Sequence, residues 1–138
     1  LRVLVVQFMK GFIESAEQRL EKKDFKVFVP PWKGFVREIS DADREHFAAV
    51  LKTVREEIES FKPEFVVLDE LCVALFMGLC DRRQAERLIK DTLTNAHVVV
   101  TGRNGPEWLV DMADTVTEVG EEAHPFRKGQ KARPGIEF

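Results

Sequence analysis

None of the eight glycines in this 138-residue chain opens a G-x-x-x-x-G-K-[ST] loop. The usual backbone cradle for the phosphates of a nucleotide is therefore not written in it. Only two cysteines are present, Cys72 and Cys80, too few and too widely spaced for a disulfide framework or a zinc site. Buried free thiols in a reducing cytoplasm are the expectation. No apolar run approaches the length of a membrane span, and no stretch resembles a secretion signal. The net charge is only −3, which argues against broad electrostatic binding of nucleic acid. Ser/His/Asp and Cys/His catalysis find no supporting spacing. An initiating methionine is lacking too: the chain opens Leu1-Arg2-Val3, already inside a strand-like run, so upstream residues are expected.

What is present reads as one globular domain over 1–138, with 44% hydrophobic and 33% charged residues and length enough for a real core. Its centre is Phe65-Val66-Val67-Leu68-Asp69-Glu70-Leu71-Cys72. Four apolar residues running into two carboxylates read as a strand buried on both faces that ends in acids. Val3–Val6, Phe25–Val29 and Val98–Val100 are further strands of this kind, and Thr115–Val119 a last short one. Between them fall helices over 13–23, from the cap Ser40 to Pro63, over 71–79 as a buried segment interrupted near Gly78, from the cap Asp81 to about Leu93, and after Pro106. Residues 120–138 form an extended tail. Strands alternating with helices predict right-handed crossovers and a mostly parallel sheet.

In such a sheet every strand ends on the same edge, where ligands bind. Lys10 and Gly11, the aromatic loop Trp32–Arg37, Asp69 with Glu70, and Thr101–Arg103 should converge there. Asp69-Glu70 fits a metal-and-phosphate acid followed by a carboxylate that positions a ligand; it also fits the solvated end of a strand. Arg103 could reach a phosphate with its fork of donors, or else cap a helix and pair with Glu107. Lys10 is either a cation beside an anionic ligand or a solvated turn lysine. Trp32 and Phe35 could wall a flat ligand or fold back on the core. His124, beside Pro125-Phe126, could contact a ligand or stand in solvent.

These stretches resemble the P-loop type of ATP:corrinoid adenosyltransferase. The matching blocks are Val5-Val6-Gln7-Phe8-Met9-Lys10-Gly11, Gly34-Phe35, Val66-Val67-Leu68-Asp69-Glu70-Leu71, Thr101-Gly102-Arg103, Ala113–Glu118, His124-Pro125-Phe126 and the end Gly135–Phe138. The resemblance implies a P-loop NTPase-like, RecA-like α/β fold whose first βα unit, the one carrying the phosphate loop, is missing. It implies transfer of the 5′-deoxyadenosyl group of ATP to a Co(I) corrinoid such as cobalamin, with triphosphate released, in cobalamin biosynthesis or salvage. Asp69 and Glu70 then serve catalysis at the Mg2+–nucleotide site, with Asp69 on the metal. Arg103, Lys10 and Gly102 bind the nucleotide. Phe35, with Trp32 and His124, holds the corrinoid, although Arg37 stands where the family commonly has a second aromatic. A homodimer and a flavoprotein electron donor are implied as partners, and no activity is expected of the chain without its phosphate loop. The alternative is a non-catalytic nucleotide- or corrinoid-binding module.

Overall fold

A computed structural model describes residues 1–10, 19, 20, 22–32, 38–123 and 129. Most of the helix expected over 13–23, Gly11, Phe35, Arg37, His124 and nearly all of the tail lie outside the described residues. The chain divides into two compact units, Leu1–Pro106 and Glu107–Phe138.

The first unit is built on four strands: β1 (Val3–Gln7), β2 (Phe25–Phe28), β3 (Phe65–Asp69) and β4 (His97–Val100). All pair in parallel, in the order β2-β1-β3-β4. Each is an apolar run within a residue of the expected bounds. Parallel neighbours need a crossover, and α1 (Asp41–Phe61) and α3 (Arg82–Leu93) supply two, with α2 (Leu71–Phe76) between β3 and α3.

Local chemistry explains where these helices start and stop. Ser40 and Asp81 are N-caps, as their sequence positions predict. Each accepts from the backbone N–H three residues on, while Asp43 and Gln84 reach back to close capping boxes. α1 ends at Lys62 in the left-handed conformation, and Pro63, which cannot continue a helix, follows. Phe47, Val50, Leu51 and Val54 turn one face of α1 to the sheet and are buried. Each contributes on the order of 1.5–3 kcal/mol by leaving water.

Register places the core. Leu4, Val6, Val66 and Leu68 share one face and are fully buried. Lys26 shares that face and reaches Glu57 of α1 at 2.6 Å. Val5 and Val67, on the other face, are half-buried, and Val99 is exposed. The second face is thus less closed toward β4, with Val27 buried there and Val99 exposed, while among the described residues α1 and α3 pack against each other on the first. α2 departs in the same direction. It is not apolar-buried all round, since Phe76 is 68% exposed while Leu71, Cys72 and Ala74 are buried.

The second unit holds α4 (Glu107–Met112), just after Pro106 as expected. The strand expected over Thr115–Val119 does not form: these residues are irregular, and Val116 and Val119 are exposed. A short β-favouring stretch alone makes no strand; it needs a ladder partner to satisfy its backbone. Among the described residues no helix is long and apolar enough to cross a membrane.

Candidate functional site

The carboxyl ends of β1, β3 and β4 meet at one rim, tied together by backbone. Gln7 lies opposite Asp69 in the ladder, and Phe8 N–H donates to the Asp69 carbonyl at 3.1 Å. Past each strand end the chain takes a left-handed turn at a residue that is not glycine: Met9 (φ 65°), Glu70 (φ 63°) and Asn104 (φ 59°). Such conformations cost energy and persist only when their surroundings hold them.

Thr101 does the holding at Glu70. Its hydroxyl accepts from Glu70 N–H at 3.1 Å and donates to Asp69 Oδ1 at 2.7 Å. Its own N–H donates to the Leu68 carbonyl at 3.2 Å, and its carbonyl accepts from Cys72 N–H at 3.2 Å. Gly102 follows, with φ 127° and no room for a side chain: a Cβ there would stand 2.9 Å from Cys72 Cβ and 3.1 Å from Val73 N. The start of α2 is therefore stacked directly under the turn that leaves β4.

Asp69 and Glu70 are half-buried: the Asp69 carboxylate is anchored by Thr101 and Glu70 by its backbone N–H, and both remain open to a ligand. Cys72, immediately below, is buried; desolvation first, and then the Glu70 charge, push its thiol pKa up. It is no nucleophile. Among the described residues no group of three His, Cys, Asp or Glu side chains could hold a metal ion. A Mg2+ ion asks less, one or two carboxylates with phosphate oxygens and waters completing the shell, and Asp69 with Glu70 fits that demand.

Of the other predicted residues, Lys10, Gly102 and Arg103 lie just beyond strand ends on the same edge and are exposed. Trp32 is not with them. It is 2% exposed, edge-on to Phe47 with ring centroids 5.7 Å apart and tilted over His46 at 5.7 Å. The loop folds back on the core there, and His46 Nε2 lies 2.9 Å from the Pro31 carbonyl oxygen. Of the two alternatives left open for Trp32, its place is the one folded back on the core, where α1 offers its ring an apolar seat. Phe35 and His124 are outside the described residues. Two rim residues were not expected from the sequence: Thr101 as a clamp, and Gln7, a buried polar residue in register with Asp69. A polar residue closing an apolar strand was the available signal for both. A cavity of about 620 Å³ opens at the opposite, amino end of the sheet, lined by Arg2, Arg55, Lys62, Glu59, Glu64 and Asp91 among others. Its cations and acids balance, and it is remote from the acid pair.

A family model described as ATP:corrinoid adenosyltransferase BtuR/CobO/CobP matches residues 1–138. A corrinoid adenosyltransferase of Sinorhizobium is 37% identical over 97% of this chain and 65% of its own length. One of Pseudomonas aeruginosa is 33% identical over 100% of this chain and 70% of its own length. Corrinoid adenosyltransferase CobA of Salmonella typhimurium is 29% identical over 97% and 69%. The chain thus spans about two thirds of the length of these relatives. With a parallel α/β sheet whose acids stand at its carboxyl edge and a match over every residue, the chain belongs to the ATP:corrinoid adenosyltransferase family.

Proposed function

We propose that the protein transfers the 5′-deoxyadenosyl group of ATP to the Co(I) of a corrinoid. The cobalt electron pair attacks the ribose 5′ carbon and the bond from that carbon to oxygen breaks. Triphosphate leaves with the electron pair, and cobalt ends as Co(III) in a cobalt–carbon bond. The observation that supports this most directly is the acid pair Asp69-Glu70, clamped by Thr101 at the sheet edge of a chain matched along its whole length by this family. Relatives named as adenosyltransferases do not favour the non-catalytic module.

Within this reading Asp69 holds Mg2+ with help from Glu70; when bound, the ion neutralises charge on the triphosphate. Lys10 and Arg103 place cations on the same edge for phosphate oxygens, and Gly102 keeps the backbone low beside them. Phe35 and His124 serve the corrinoid. Trp32, buried against Phe47, anchors the start of the segment carrying Phe35 instead of touching the ligand. The two units work as one nucleotide-binding domain, in a cytoplasmic homodimer supplied with electrons by a flavoprotein reductase.

The test is the complete protein with MgATP and chemically reduced cob(I)alamin, followed by the absorbance of adenosylcobalamin and by triphosphate release. Glu70→Gln should lower turnover about 100-fold or more while leaving the urea midpoint within error. Absence of cobalt–carbon bond formation by the complete wild-type protein would sink the proposal. Equal losses of activity and stability in Glu70→Gln would make Glu70 a structural residue only.

A further inference from the structure

We infer that Thr101 is the positioning residue of the acid pair, orienting one carboxylate oxygen of Asp69 and fixing the backbone of Glu70. The inference rests on the reading of Asp69 and Glu70 as the nucleotide–metal acids. Elementary hydrogen-bond counting settles the direction of each bond. A threonine hydroxyl has one hydrogen and two lone pairs. Glu70 N–H can only donate, so at 3.1 Å the Thr101 oxygen accepts from it. The single hydroxyl hydrogen is then left for Asp69 Oδ1, 2.7 Å away. One Asp69 oxygen is thereby occupied and its plane set, which leaves the other oxygen to face a ligand.

The rest of Thr101 has no freedom to follow a different geometry. Its N–H and carbonyl bond Leu68 and Cys72, so all its polar groups grip the five residues from the end of β3 to the start of α2. Glu70 sits in a left-handed conformation that its side chain disfavours, and the bond from its N–H to the hydroxyl is what compensates there. Thr101 lies 31 and 32 residues from Glu70 and Asp69 in sequence, and its hydroxyl adds a side-chain tie to the β3–β4 ladder.

The complete protein carrying Thr101→Val, Thr101→Ser or Thr101→Ala tests this with two readouts. These are adenosyl transfer as a function of Mg2+ concentration, and MgATP binding by titration calorimetry. Valine keeps the shape and loses both hydroxyl bonds. It should lower turnover and weaken the apparent Mg2+ affinity by about 10–100-fold each, the usual cost of losing an outer-shell partner. Serine keeps both bonds and should stay within about threefold of wild type in each readout. Should valine not fold, alanine replaces it in the comparison with serine. Wild-type Mg2+ dependence in Thr101→Val or Thr101→Ala overturns the inference, and so does a serine variant as impaired as valine. If the wild-type protein transfers no adenosyl group, the proposed reaction falls. The calorimetric comparison then decides Thr101 alone, with equal MgATP affinity in all variants, or no MgATP binding at all, counting against it.

Discussion

Replacing Gly102 by alanine should be the most damaging glycine change in the described rim, and its cost can be worked from geometry. Two penalties combine. At φ 127° an L-residue lies in a region its side chain rarely permits, worth about 1–3 kcal/mol. The added Cβ also falls 2.9 Å from Cys72 Cβ and 3.1 Å and 3.3 Å from the backbone nitrogens of Val73 and Cys72. Two of these neighbours are main chain at the head of α2, unable to swing aside as a flexible side chain would, so overpacking adds about 1–3 kcal/mol. Partial relaxation makes the expected total about 3–4 kcal/mol. Two other glycines calibrate the figure. Gly78 has φ 72° and nothing within 4 Å of an added methyl, so alanine there pays only the left-handed penalty of about 1–2 kcal/mol. Gly105 has an ordinary 3.5 Å contact to Cys72 Sγ and no positive φ, so alanine should be neutral or gain up to about 1 kcal/mol through the unfolded chain.

Urea unfolding followed by the fluorescence of buried Trp32 ranks the three. With a slope of about 1.5 kcal/mol per molar, Gly102→Ala should lower the midpoint by about 2 M. Cys72→Ala should not rescue it, since alanine retains the Cβ that clashes. A Gly102→Ala midpoint within about 0.3 M of Gly105→Ala would refute the steric argument. If nucleotide affinity then fell while stability held, glycine at 102 would be there for the ligand and not for α2.

Trp32 gives a sharper contrast between shape and polarity. Its Nε1 is buried with no hydrogen-bond partner among the described residues, so Trp32→Phe keeps most of the packing, removes that donor and should cost less than about 1.5 kcal/mol. Trp32→Ala should cost about 3–5 kcal/mol in urea titration followed by circular dichroism; a phenylalanine variant as unstable as alanine would contradict the packing. Cys80, its thiol pushed by burial, and secondarily by Asp81, up to about 12, should react with a thiol reagent at pH 8 only when the chain unfolds. Between the ordinary value of 9.0 and about 12 only the unfolded state loses that proton, so the thiol's contribution to stability falls as pH rises. Cys80→Ala should flatten that alkaline decline above about pH 9 in urea titrations, and an unchanged slope would refute the burial argument.

Much of this architecture is legible along the chain because its causes are local. A run such as Val66-Val67-Leu68 can only be a buried element, and Ser40 with Asp43 or Asp81 with Gln84 closes a cap within three residues. Parallel pairing follows from the alternation of strands and helices, and it brings the acids to one edge. What stayed hidden depends on which side of the sheet another element covers. Nothing near Trp32 in sequence announces that Phe47 and His46 of α1 will receive its ring. Nothing within Leu71–Phe76 says which side of α2 faces out and exposes Phe76, and the short stretch Thr115–Val119 carries no information about a partner strand.

The clamp at Thr101 belongs to the same hidden class, and register shows why. Leu68 pairs with Val100 in the parallel ladder, so the residues that follow them, Asp69 and Thr101, leave the sheet side by side. A slip of β4 by one residue would send the Thr101 side chain to the opposite face and bring Val100 or Gly102 beside the acid. Neither can donate from a side chain. The slip is opposed by Val98 and Val100, which share the core face with Val66 and Leu68 while Val99 is exposed, and by Gly102, whose lack of a Cβ lets the turn close on Cys72. Packing that looks purely structural therefore selects the one register in which a hydroxyl reaches Asp69. Asp69 at the end of β3 has its hydroxyl partner only because β4 is held in that register beside it.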